Sequence, residues 1–305
     1  MFGSYAYAAS LPCGKQAQDE HRENDIEAKS FVCVPASALV SKLLDRSETR
    51  TNPKAIAAVQ KEGRALVDAE TWLEDTVIER SELIERSKSD GNIIHMGDLM
   101  SICSVKHAEG PEHAQVYKGR VCFRGDNVRD QDGALAIFQE LSAQPTTIHT
   151  ANSNIAYGSI PGHSCETADA IRAYIQSELH SQHATWVRIP KELWPQEWHA
   201  RGYRAPMCLL KKALYGHPES GGHWERHLTN AVVHIGGEAV PNHPSSFWFP
   251  KLRLLLTVYV DDLLLSGPTG AHQQVWEALQ RYPIAIDPPE PLHRFLGRVH
   301  DRTDA

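Results

Sequence analysis

The 305 residues predict an α+β fold containing a ferredoxin-like split βαβ sheet, and three observations lead there. Segments rich in β-formers alternate with helix-periodic segments in the order strand, helix, strand, strand, helix over the C-terminal half. The apolar stretch at 252–260 is followed, across an Asp-Asp pair, by a second short apolar run at 263–265, which reads as a hairpin. A composition of 41% hydrophobic, 23% charged and 8% aromatic residues supplies apolar material for one large domain or two modest ones, and excludes disorder along the whole length.

The net charge of -7 excludes a uniformly basic nucleic-acid coat protein but leaves room for a local basic groove. The acidic excess sits toward the N-terminus. The 6 cysteines are widely spread with no C-x-x-C pair, so neither a zinc ribbon nor a thioredoxin-like site is written here. They read as reduced thiols of an intracellular protein, in cytoplasm or nucleus. The longest apolar run is interrupted by Arg253 and falls far short of the roughly 20 residues a membrane helix requires, so no membrane partner is expected. Residues 1–9 lack the charged start and apolar core of a secretory signal.

Residues 1–50 mix charges and small residues with weak periodicity and are expected to form a flexible lead-in. A helical linker is expected over 51–94. It opens with Asn52 as N-cap and Pro53 at the first helical position, and continues with Ile56, Val59, Leu66 and Val67 at helical spacing. A helix-prone stretch at 79–89 then ends at Asp90-Gly91. Residues 99–105 and 116–123 flank a Glu109-Gly110-Pro111 turn as a hairpin would. Asp132-Gly133 opens an expected helix carrying Leu135, Phe138 and Leu141, closed by Pro145, and another helix runs to Tyr157-Gly158. Next come a strand at 165–169, a short helix near Ala173 and Tyr174, and an extended segment at 185–189 ahead of a proline-rich stretch. Trp224, Leu228, Ala231, Val232 and Ile235 make an amphipathic helix ended by Gly236-Gly237. Strands at 247–249 and 252–260, the returning strand, a last helix near Val275 and a tail at 301–305 complete the chain.

In that strand order the first strand and the central hairpin lie side by side, so Asp169 and the pair Asp261 and Asp262 can meet at one edge. Adjacent carboxylates beside an apolar core repel one another and hydrate poorly. A divalent cation relieves both costs. Mg²⁺ favours a few carboxylate oxygens plus phosphates and water, with Mn²⁺ as an alternative. Two such ions about 4 Å apart stabilise attacking and leaving oxygens in phosphoryl transfer.

Five segments carry a family resemblance. Tyr259-Val260-Asp261-Asp262 resembles the Y-x-D-D motif of reverse transcriptases. The run from Asp169 through Tyr174 is similar to their first carboxylate motif. The run Leu209-Leu210-Lys211-Lys212-Ala213-Leu214-Tyr215-Gly216, with Trp224 beyond it, resembles the intervening segment of copia-type retrotransposon polymerases. Tyr117-Lys118-Gly119-Arg120-Val121 resembles their Y-K-A-R-L fingers strand, and Phe295-Leu296-Gly297 their F-L-G element. Together these span roughly residues 95–300 in family order.

The resemblance implies a fingers-palm polymerase domain over 95–300, with most of the thumb missing, as one piece of a Pol polyprotein whose integrase and ribonuclease H are encoded nearby. The implied partners are a template-primer of RNA or DNA and a deoxynucleoside triphosphate. The implied cofactor is a pair of Mg²⁺ ions held by Asp169, Asp261 and Asp262. Tyr174 would be the steric gate against a ribose 2′-hydroxyl. Lys106, Lys118 and Arg120 would bind triphosphate or template backbone, or else form a solvated strand face, and Tyr215, Gly216 and Tyr259 would face the nucleotide.

Where copia-type polymerases read Y-G-L-K-Q-S-P-R, this chain reads Tyr215-Gly216-His217-Pro218-Glu219-Ser220-Gly221-Gly222. Glu219 is expected to put negative charge near a phosphate site and so weaken nucleotide binding unless a cation or Lys211 and Lys212 compensate it. A non-catalytic remnant that keeps the fold, or an unrelated two-metal phosphohydrolase, therefore stays open beside the polymerase. His223 and His227 share a helical face, but with no third ligand they read as surface residues. Trp186, Trp194 and Trp198 read as packing residues rather than base-stacking platforms.

Overall fold

The computed structural model describes residues 41–138 and 143–300. These lie in the unit Leu39–Ala305; the other unit, Met1–Ala38, falls outside the described residues, as do most of the expected lead-in and the tail at 301–305.

The first strand and helix lie inside the expected lead-in. Strand β1 (Lys42–Leu43) adds to the edge of a sheet, and helix α1 (Arg46–Thr51) is started by a capping box in which Asp45 and Glu48 each take the other's backbone N–H. Helix α2 (Pro53–Asp68) begins where the Asn52 side chain accepts from the Lys54 N–H, with proline at the first position. The expected helical linker then holds strand β2 (Trp72–Glu79) before helix α3 (Arg80–Asp90), which ends at Gly91 in the left-handed region. That strand departs from the sequence expectation: it carries three acidic residues and a register shift between Leu73 and Ile78, so its alternation is broken.

Strand β3 (Ile94–Lys106) is long enough to serve several ladders. It pairs antiparallel with β4 (Val116–Phe123) and, through its first five residues, parallel with β6 (Ala184–Arg188), which in turn pairs with β7 (Pro206–Leu210). The sheet order is β1-β3-β6-β7-β2, with β4 also on β3. Leu66, Trp72, Leu99, Val121, Phe123, Val187 and Leu210 form its core. Trp186, Trp194 and Trp198 pack within this part, and the Trp194 indole N–H donates to the Ile189 carbonyl at 2.8 Å.

The helix expected from Asp132 is absent over the described part of its range, and Leu141 lies outside the described residues. The Asp130 carboxylate accepts the N–H groups of Asp132 and Ala134, both at 2.9 Å, and Gly133 takes φ 84°. This Asx-type turn competes with helix and wins.

Helix α4 (Ile148–Gly158) leads into the second sheet, whose strands are β5 (His163–Asp169), β8 (Glu238–Ala239), β9 (Ser246–Phe249), β10 (Leu254–Tyr259), β11 (Asp262–Pro268) and β12 (Glu290–Pro291). Their order is β12-β5-β11-β10-β9-β8, with every pairing antiparallel. The short helix α5 (Gln196–Ala200) precedes β7, while α6 (Ser220–His234) and α7 (His272–Arg281) cover one face of this sheet with Trp224, Leu228, Val232, Val275 and Leu279 on Leu254, Leu256, Leu263 and Leu265. On the other face α4 packs over Leu264, and Asn154 donates to the Thr257 hydroxyl and the Leu264 carbonyl at 3.0 Å each. Burial on both faces explains why β11 reads as an unbroken apolar run rather than an alternation. A two-stranded ribbon, β13 (Arg294–Phe295) with β14 (Arg298–Val299), ends the described chain.

Candidate active site

The turn between β10 and β11 and the end of β5 form the site. Tyr259 pairs with Asp262 across the hairpin, leaving Val260 and Asp261 as a two-residue turn. Asp262 is in turn the direct cross-strand partner of Asp169 on β5. Val260 has φ 61°, a conformation for which such hairpin turns favour glycine and which crowds a β-branched side chain. Bonds from outside the hairpin hold this strained turn. The Trp224 indole N–H donates to the Val260 carbonyl at 2.7 Å, and the Ala170 N–H donates to the Asp261 carbonyl at 2.7 Å. The second bond ties the turn to the residue that follows Asp169. On its other side, the Asp287 N–H donates to the Asp169 carbonyl at 2.8 Å.

The electrostatics follow from that crowding. Burial, then Asp261 and Asp169, push the Asp262 carboxyl up to about 6. Asp169, which is exposed, is also raised, by burial first and then by Asp261, Asp287 and Glu290. Among the described residues none of the three has a cationic side chain at ion-pair distance. An uncompensated carboxylate cluster of this kind suits a hard divalent cation. Among the described residues, however, no group of three or more His, Cys, Asp and Glu side chains is arranged to hold a metal ion. Register brings the backbones together while the side chains stay short of a closed cage. That is compatible with Mg²⁺, which usually keeps several waters and takes one or two carboxylates plus substrate phosphates.

Beside the acids lies a cavity of about 170 Å³ lined by Asp261, Tyr174, Tyr215, Arg120, Cys122 and Arg172, among others. Tyr174 follows Arg172, whose φ of 51° and ψ of 51° turn the chain into the short helical turn Ala173–Gln176. The ring of Tyr174 meets that of Tyr215 edge-on, with centroids 4.6 Å apart. Both phenols are raised, by burial first, with Asp261 adding to each. Gly216 has φ 89°, and a Cβ there would collide with the Phe123 carbonyl oxygen. Only glycine lets the chain run this close to β4, where the Phe123 N–H donates to the Tyr215 carbonyl at 2.7 Å.

Arg120 thus reaches the cavity, whereas Lys106 and Lys118 do not line it. They stand toward the far end of the β3–β4 hairpin, where Lys106, then burial, then Arg120 lower the Lys118 pKa. Tyr259 is 40% exposed at the hairpin tip.

Glu219 is a correction to the sequence reading. Rather than facing a phosphate site, it is 2% exposed and takes a very short hydrogen bond from the Ser181 hydroxyl, with His223 Nε2 at 3.9 Å. Lys211 does not compensate it, being engaged with Glu70 at 2.6 Å. His223 is likewise no surface residue, at 3% exposure. Sequence reasoning also missed His217, which packs against Phe123 and Phe138 with centroids 4.9 and 5.0 Å away. Its Nδ1 accepts the Glu219 N–H at 3.2 Å, and burial, then His223 and His95, push it down to about 3. A polar residue in a turn motif carries no local sign of burial.

No protein-family model matches the chain. Over 95 residues it is 34% identical to the retrovirus-related Pol polyprotein from transposon RE1 of Arabidopsis thaliana. The matched stretch is 30% of this chain and 6% of that polyprotein, so the chain spans a small fraction of its relative's length. The similarity supports an origin in a retrotransposon Pol polyprotein.

Proposed function

We propose that the chain is the fingers and palm of a copia-type reverse transcriptase, an RNA-directed DNA polymerase. The observation that carries this reading is the cross-strand pairing of Asp169 with Asp262 beside the strained turn that bears Asp261. In this reading the split βαβ palm comprises β5, α6, β10, β11, α7 and β12, and the sheet around β3 and β4 is the fingers. A primer 3′-hydroxyl attacks the α-phosphate of a deoxynucleoside triphosphate, a new phosphodiester bond forms, and pyrophosphate leaves. One or two of the carboxylates of Asp169, Asp261 and Asp262 would hold Mg²⁺ together with substrate phosphate and water, and the ion would supply charge stabilisation for phosphoryl transfer. The protein's own residues bind and orient. Arg120 offers its guanidinium to a phosphate from the cavity wall. Tyr174, braced edge-on by Tyr215, limits the room at the sugar.

A remnant that keeps the fold and binds nucleic acid is the second reading. It is favoured by the inward burial of Glu219 and His217, in the segment where the family pattern carries Lys and Gln. Purified chain given oligo-dT on poly-rA, Mg²⁺ and dTTP separates the two. The polymerase extends the primer and Asp261→Asn does not, whereas a remnant shifts the RNA without extension. Release of nucleotide in the absence of dTTP would instead point to a phosphohydrolase.

A further inference from the structure

A second cavity, of about 270 Å³, opens at the end of β6 away from the three acids. Six cationic side chains line it: Arg46 and Arg50 of α1, Arg124 just past β4, Arg188 of β6, Lys191, and Arg204 ahead of β7. Only two acids, Asp98 and Glu192, share the wall. Asp98 is taken by Arg188 at 2.7 Å, and Arg124 pairs outward with Asp126 at 2.8 Å. Among the described residues Arg46, Arg50, Lys191 and Arg204 have no ion pair, so four unpaired cations face one cavity. Holding like charges around a concave wall costs free energy unless an anion fills it.

We infer that this cavity binds the phosphodiester backbone of a single nucleic-acid strand, a proposal that deepens the polymerase reading and rests on it for the identity of the strand. Several features favour a strand over a small anion. The cationic groups come from four separate stretches of chain and span more than one phosphate could neutralise. Trp194 also lines the wall, half-buried, with Lys191 Nζ 5.6 Å from its ring centroid, a contact that holds this ammonium at the cavity. The cavity also adjoins the candidate active site through the β3–β4 hairpin. Met100 and Ser101 line it, and their register partners Cys122 and Val121 line the cavity that contains Asp261. A strand lying in one could continue past the hairpin to the other.

The test is fluorescence anisotropy of labelled oligo-rA with the full chain, titrated over a range of salt. Neutralising two exposed, unpaired cations, Arg50→Gln with Arg204→Gln, should weaken binding about tenfold near 0.1 M salt and flatten the log–log salt dependence by about 1.4, two single-strand phosphate contacts. Arg298→Gln with Lys251→Gln should leave both unchanged, and the melting temperature should hold in either pair. If the first pair unfolds the chain, Lys191→Gln alone should lower the slope by about 0.7. Unchanged oligo-rA affinity and slope in the Arg50/Arg204 variant overturn the inference. So does a loss confined to inorganic phosphate, dTTP or phosphatidylserine vesicles. A wild-type chain that binds oligo-rA through these residues yet never extends a primer would sink the polymerase reading and leave this site standing.

Discussion

The Trp224 indole nitrogen lies 2.7 Å from the Val260 carbonyl oxygen and so pins the turn that carries Asp261 from the helix side, with Trp224 only 2% exposed. Trp224→Phe keeps an aromatic ring and removes the donor. Leaving that carbonyl unpaired should cost about 1–2 kcal/mol of stability. If the bond positions Asp261, primer extension should also fall about tenfold and need more Mg²⁺ for half-maximal rate. A lower melting temperature with an unchanged Mg²⁺ requirement would mean that the bond serves packing alone.

The raised carboxyl of Asp262 makes a prediction about stability without metal. Its folded pKa of about 6 lies above that of an unfolded aspartate, so its contribution is present at low pH and lost as pH rises through about 6. Asp262→Asn should therefore stabilise the metal-free chain near pH 8, by about 1 kcal/mol after allowing for solvent screening at a half-exposed group. The same change should abolish extension, and Mg²⁺ should raise the melting temperature of the wild type but not of this variant. A destabilised Asn variant would contradict the crowding of Asp262 by burial and by its two acidic neighbours.

Tyr174 and Tyr215 meet edge-on at 4.6 Å, which fixes where the Tyr174 ring can stand. Replacing Tyr174 by Ala should raise ribonucleotide incorporation at least tenfold relative to deoxyribonucleotide, while Tyr174→Phe should preserve selectivity because the ring, not the hydroxyl, fills the space. Competition between rUTP and dTTP on poly-rA measures the ratio, and equal ratios in an active Ala variant would remove the gate role.

The lowered pKa of His217 predicts a pH dependence opposite in sign to that of Asp262. Its folded pKa of about 3 lies below the unfolded value of about 6.5, so its stabilisation is full above pH 6.5 and is lost as pH falls toward 3. His217→Asn retains an acceptor for the Glu219 N–H but does not titrate. Its unfolding free energy should be about 1–3 kcal/mol lower at pH 7 and much flatter between pH 6.5 and 4, as denaturant melts across that range would record. A wild-type slope retained in the variant would assign the acid sensitivity to other groups.

The parts of the architecture readable from the residues alone are those with local signals. The Asn52-Pro53 start and the helix around Trp224 stand where capping and helical spacing put them, while the hairpin near Asp261 is present but turns one residue earlier than the apolar runs suggest, at Val260 and Asp261, with Asp262 already in the returning strand. Even the meeting of Asp169 with Asp262 was foreseeable, because an antiparallel neighbour strand ending in Asp at the hairpin's mouth has few other registers. Local signals misled at Asp130, whose side chain captured two N–H groups and made a turn where apolar spacing suggested helix.

What needed the folded chain was every relationship between distant segments whose value depends on a partner. The parallel pairing of residues 94–98 with 184–188, the burial of Glu219 and His217, and the gathering of Arg46, Arg188 and Arg204 around one cavity leave no mark in their neighbours along the sequence. The reason is physical: backbone capping and side-chain periodicity act over a few residues, whereas burial and charge crowding are set by whatever the rest of the chain brings alongside.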